Sequence, residues 1–182
     1  KKIRKYMKVR PILFREFSKK NTIIITALEF AGALNFGMLV FIIPDYIKNV
    51  LYLNDTQTGI ISAIYPIAIV LGTIIGGISS DRYGRKSILY YSFIGSLIFS
   101  VLFIFADNWQ KFALVYSFMG LFHGTGVYSA FAALAMDITN PKIDATQYSI
   151  LASIHNVGDF GMGIISGILV TMLGYTRFFL FA

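Results

Sequence analysis

Five stretches of this chain are apolar for about the 20 residues that a helix needs to cross a bilayer core of about 30 Å. They cover residues 22–43, 58–78, 87–106, 112–136 and 150–173. Pro44 closes the first, Pro66 lies inside the second, and the third carries no charge. A sixth begins near Phe178 and runs to residue 182. The runs are apolar on every side, without the in/out alternation of a barrel strand. Helices satisfy each backbone group within the span, so the pattern predicts helices. The links are short, which makes neighbouring helices antiparallel. The predicted fold is an all-α membrane protein, a six-helix transmembrane bundle whose last helix is truncated. The chain starts at Lys1 and stops in an apolar run, so a piece of a longer protein is expected.

Composition agrees. Hydrophobic residues make up 56% of the chain and charged ones 14%, against about 25% charged in soluble domains. A water-soluble globule is excluded. The chain has no cysteine, so disulfides and thiolate metal sites are excluded as well. The net charge of +7 does not point to nucleic acid, because nine of the 16 Lys and Arg residues precede Asn21. With the Lys1 end cytoplasmic, Arg82, Arg85, Lys86 and Lys142 join those nine inside, and only Lys48, Lys111 and Arg177 fall outside. The positive-inside rule therefore predicts a cytoplasmic Lys1 end. Residues 1–20 place Ile3, Tyr6, Met7, Leu13, Phe14 and Phe17 among the cations at helical spacing, with Pro11 expected to divide them into two short helices. Such a segment either lies in the headgroup layer or is a plain basic flank.

The link between the second and third runs reads Gly77-Ile-Ser-Ser-Asp81-Arg82-Tyr-Gly84-Arg85-Lys86-Ser-Ile-Leu89. It is similar to the signature loop G-x-x-x-D-R-x-G-R-K-x-x-L of the major facilitator superfamily, with every fixed position filled. Gly77 is expected to allow a close helix approach, Gly84 a turn with positive φ, and Asp81 to face an Arg or a helix N-terminus. The resemblance implies a twelve-helix fold of two six-helix halves, of which this chain is one. It also implies a charge latch at Asp81 and Arg85 that steadies one access state, with Asp137 as the expected partner of Arg85. Residues 140–148 resemble the link before the eleventh helix in permeases of the muropeptide type. With the basic segment 1–20 read as an inter-half linker and 21–182 as the bundle, the second, C-terminal half is expected.

Ionisable groups at bilayer depth are costly and mark function by default. Four occur in this chain: Glu29, His123, His155 and Asp159. At 1.5 Å per residue, Glu29 and His155 lie about 10 Å deep, and His123 and Asp159 near the midplane. His155 and Asp159 are four apart, on one helix face. A carboxylate beside an imidazole can carry a proton. These groups are candidates for proton coupling, for substrate contact, or for structural pairing. Asn35 and Asn156 are weaker candidates. Gly158, Gly161, Gly163 and Gly167 favour helix packing, and Tyr65, Tyr116 and Tyr128 favour packing over substrate contact.

The expected function is secondary transport of a small solute by alternating access, coupled to protons. A receptor or sensor on a transporter scaffold is the alternative, and an intramembrane enzyme using His155 and Asp159 a weaker one. No nucleotide-binding loop, metal-ligand cluster or nucleophile constellation is evident, so no cofactor, metal or catalytic residue is expected. The expected partners are the solute, the proton, the lipid bilayer and the other half of the chain, and no nucleic acid.

Overall fold

A computed structural model describes residues 9–181. Lys1, Ile3, Tyr6 and Met7, named in the basic segment, lie outside the described residues. The described part is helical: α1 Val9–Phe17, α2 Lys20–Asn49, α3 Asp55–Tyr83, α4 Arg85–Leu102, α5 Trp109–His123, α6 Ala132–Ile138 and α7 Asp144–Phe181. A π-helical stretch, Gly124–Phe131, joins α5 to α6 in one span. Five helices are long and apolar enough to cross a membrane.

The helices run past their apolar cores. Pro44 does not close the first span; it lies inside α2, which continues to Asn49. Proline removes one backbone donor there, and the last turn still closes through Val50 N–H to the Tyr46 carbonyl at 3.0 Å. Pro11 lies within α1, and whether it divides the basic segment into two helices falls on residues outside those described. Side chains define other ends. Asn54 and Gln57 form a reciprocal capping box on α3, with bonds of 2.9 and 3.2 Å. Asn108 caps α5 by accepting from Lys111 N–H at 2.9 Å. Gly84, with φ 88°, turns the chain from α3 into α4. Gly174, with φ 73°, breaks α7, so the fifth span ends there and a sixth helix begins.

Two seams build the bundle: α2 packs along α7, and α3 along α5 and the π segment. Exchanging spans one and two with four and five maps one seam onto the other, the pairing of an inverted repeat. Both seams are lined by small residues. Gly72 and Gly76 of α3 abut the Leu121 and Thr125 backbone, and Gly120 and Gly124 abut the Tyr65 and Ile69 carbonyls, so two small-xxx-small stripes let the helices meet backbone to backbone. Thr125 Oγ1 donates across this seam to the Gly72 carbonyl at 3.0 Å. The close approach falls at Gly76, where a Cβ would sit 2.7 Å from Thr125 Cα, and not at the expected Gly77, whose nearest neighbour is Ser129 Oγ at 3.7 Å. Gly76 shares a face with Gly72, and Gly77 is turned one residue off it. Of the fifth-span glycines, Gly158 and Gly163 touch α2, whereas Gly161 and Gly167 face open space.

An aromatic core of Tyr46, Phe103, Phe112, Tyr116 and Phe179 fills the end of the bundle away from α1. Tyr65 and Tyr116 stack at 4.3 Å within it, so both are packing residues. Tyr175 donates a hydrogen bond to Asp45 at the same end. The opposite end packs fewer and smaller residues around Ile25, Leu89, Phe131 and Leu151. There the buried Glu16 of α1 pairs with Lys19 and accepts from Asn140 Nδ2 at 2.9 Å, docking α1 on the link between the fourth and fifth spans. These bonds, that to Lys19 foremost, hold the Glu16 carboxyl below its usual value.

Candidate functional site

The α2/α7 seam creates the site. Glu29, Ala33 and Gly37 recur every four residues and so form one stripe of α2. Gly158 of α7 meets Ala33, where a Cβ would come within 2.7 Å of the alanine methyl. Gly37 meets the Asp159 backbone, with 2.9 Å between an added Cβ and Asp159 Cα. Two helices this close bring the next turn of each stripe together: His155 Nδ1 lies 2.9 Å from Glu29 Oε1. On its other edge, His155 Nε2 lies 3.8 Å from Asp159 Oδ2. One imidazole is thus flanked by two carboxylates from two helices. All three side chains are largely buried, at 6%, 12% and 17% exposure for Glu29, His155 and Asp159.

The charge balance of this triad is unusual. A protonated His155 offsets one carboxylate and leaves one negative charge in excess. Burying an unmatched charge in a low-dielectric span is expensive. One further proton, or a cationic solute group, would neutralise it. Asp159 Oδ1 is buried without a hydrogen-bond partner among the described residues, which leaves it able to receive either. Glu29, His155 and Asn156 line a cavity of about 230 Å³, completed by Tyr128, Tyr148 and Phe131. The π segment supplies Tyr128 and Phe131; its wider turn is the kind of helix defect found at functional sites. The Gly124-Thr-Gly126 run, a weak helix former, is the one sequence signal for it.

His123, the fourth candidate, stands apart. It is buried and stacks on Phe36 at 4.2 Å, with Tyr128 edge-on at 5.6 Å. Phe36 also lies 6.2 Å from His155, so its ring neighbours both imidazoles. His123 Nε2 has no hydrogen-bond partner among the described residues. Asn35 lines a different groove, between α2 and α4.

At the α1 end, Arg85 forms an ion pair with Asp137 and donates to the Ala133 carbonyl at 3.1 Å, fastening the start of α4 to the end of α6. Asp81, Arg82 and Lys86 are exposed, and Arg82 lies 5.3 Å over the Tyr83 ring. Among the described residues Asp81 makes no ion pair, so the pairing with an Arg expected as one alternative for it is not formed.

Known proteins share this pattern. Residues 25–182 match the Major Facilitator Superfamily. The chain is 29% identical to the class H tetracycline resistance protein of Pasteurella multocida over 81% of its own length and 36% of the relative's. It is 28% identical to the hexuronate transporter of Bacillus subtilis over 86% of its length and 36% of that protein. It is 31% identical to a Rickettsia conorii protein named as a transporter, AmpG 1, over 90% of its length and 44% of the relative. The chain therefore spans less than half the length of these curated relatives. The match over most of the chain, five apolar spans and the Gly77–Leu89 loop together establish that this is a multi-pass integral membrane protein belonging to the Major Facilitator Superfamily.

Proposed function

We propose that the chain forms one six-helix half, the second, of a cell-membrane transporter that moves a small polar solute by alternating access with proton coupling. One observation carries this reading: two buried carboxylates flank one imidazole across the α2/α7 seam. In one access state the triad is hydrated and holds its excess charge. In the other it loses water and takes up a proton, or the solute, because the unmatched charge is then costlier. The proton would rest on Asp159 or Glu29, with His155 between them as donor to either.

The remaining features take supporting roles. Residues 1–20 act as the linker from the other half, and the α1 end is cytoplasmic, since α1, Arg82, Arg85, Lys86 and Lys142 gather there. The Arg85–Asp137 pair, together with Asp81 of the same loop, steadies the outward-open state. No catalytic step is assigned to any residue. The names of the relatives point to dissimilar solutes, so the solute is specified only as small and polar. The test is solute uptake by the natural full-length protein in proteoliposomes carrying a pH-sensitive dye. Solute-dependent proton movement supports the reading; uptake indifferent to a proton gradient removes the coupling, and absence of any uptake removes transport.

A further inference from the structure

At the α1 end of the bundle, Glu16, Asn140 and Gln147 are joined through Asn140. Its Nδ2 donates to Glu16 Oε1 at 2.9 Å, and its backbone N–H donates to Gln147 Oε1 at 2.9 Å. Its Oδ1 accepts from Lys142 N–H at 3.0 Å, and its carbonyl accepts from Ile143 N–H at 2.9 Å. One residue thus ties three segments: α1 through Glu16, the turn 140–143, and the first turn of α7 through Gln147. The Glu16 side chain is 1% exposed, and Gln147 is fully buried. Covering a carboxylate is costly unless it is paired and hydrogen-bonded, so this tie is more than an incidental surface contact. Thr139, extended with ψ 140°, separates it from α6.

Both ends of the tie lead to the triad. α1 passes into α2 through Ser18 and Lys19 alone. Counted from Lys20 and Asp144, Glu29 and His155 each lie about 15 Å along their helices. On the far side of the triad, Ala33 against Gly158 and Gly37 against the Asp159 backbone fix the spacing of α2 and α7. Between the tie and the triad neither helix has a glycine, so no contact of that kind is available there. The tie is the fixed point on that side. Two helices held at one crossing can still roll and slide, and a second fixed point removes that freedom. The Glu29–His155 contact needs it: at 2.9 Å it is of hydrogen-bond length, and such a contact weakens beyond about 3.2 Å.

We propose that Glu16 and Asn140 are positioning residues, which set the spacing of α2 and α7 and so hold Glu29 against His155. The inference rests on the triad as the coupling site. The natural full-length protein, isotopically labelled at its histidine nitrogens, is placed in nanodiscs. Solid-state NMR reads the His155 Nδ1 resonance, assigned by its loss in His155→Gln, and Glu29→Gln gives its position when the carboxylate is gone. Asn140→Asp keeps the size of the side chain and turns a second acceptor on Glu16 in place of the donor; the resonance should move towards the Glu29→Gln position. Glu16→Gln keeps an acceptor for Asn140 and should leave the resonance in place. The two substitutions together set an amide donor opposite a carboxylate, and should return the resonance to its unsubstituted position. A resonance unmoved by Asn140→Asp, or moved and not returned by the pair, would overturn the proposal and leave Glu16 an anchor for α1 alone. So would the same movement in Lys142→Gln, whose side chain is exposed and outside the tie. These readings need no solute. Uptake indifferent to a proton gradient would therefore remove the coupling role, while the positioning role is still decided by His155.

Discussion

Replacing Gly124 by alanine tests whether backbone contact holds the α3/α5 seam. The added Cβ would sit 2.9 Å from both the Ile69 carbonyl carbon and Thr73 N, and closer still to the Ile69 oxygen. Carbon contacts favour about 3.5–4.0 Å, so the helices must separate by about 1 Å. Backbone atoms cannot rotate away as a side-chain tip could. Overpacking of this kind costs about 1–3 kcal/mol, and the 3.0 Å Thr125–Gly72 hydrogen bond is stretched as well. Alanine regains up to about 1 kcal/mol through helix propensity. The net expectation is a loss of about 1–2 kcal/mol, seen as a melting point lower by several degrees in detergent. Gly161→Ala is the matched control: nothing lies within 4 Å of its Cβ, so propensity alone acts and stability holds or rises. The two substitutions should therefore differ in sign. Equal shifts would refute the reasoning, since the seam would then not depend on the missing methyl.

Other expectations follow from single contacts. In a double-mutant cycle, Arg85→Gln and Asp137→Asn should couple by only about 0.2–1 kcal/mol in stability, because the side chains are 34% and 52% exposed; a coupling of several kcal/mol would mean a dry pair. Asp81→Asn should slow transport while expression is retained, and normal flux would remove its role in the access switch. Glu16 has a folded-state value below its ordinary 4.5, so its contribution is complete above that pH and is lost as pH falls through the lower folded value. Hydrogen exchange in α1 should thus quicken on acidification, and Glu16→Gln should abolish that pH dependence; an unchanged profile would place the acid sensitivity elsewhere.

Much of this architecture can be read from the chain. Runs of about 20 apolar residues leave helices as the one solution in lipid, and five such helices are present. Gly84 has the positive φ that its loop requires, and Arg85 meets Asp137. What the chain hides depends on which helix faces meet. The spacing of His155 and Asp159 places them on one face, yet the nearer carboxylate is Glu29, 126 positions earlier. That contact exists because Gly37 and Gly158 let α2 and α7 approach, and a glycine carries no mark of its partner. The same blindness separates Gly76 from Gly77: a signature names the position, whereas the phase set by Gly72 and Gly120 decides which glycine is crowded. His123 shares its depth with the triad, and Phe36 and Tyr128 as neighbours, but among the described residues no ion pair or hydrogen bond ties it to the three. Pro44 stays inside α2, so proline marks the end of the apolar run but not the end of the helix.

The central claim is that Asp159 and Glu29 carry the proton. Full-length protein with Asp159→Asn or Glu29→Gln, in proteoliposomes, separates the steps: uptake driven by an imposed proton gradient, and exchange of labelled for unlabelled solute without one. If the triad holds the coupling proton, Asp159→Asn abolishes gradient-driven uptake and spares exchange, and Glu29→Gln weakens the same step. Gradient-driven uptake at the unsubstituted rate in both variants would contradict the claim and leave the triad a structural tie between α2 and α7.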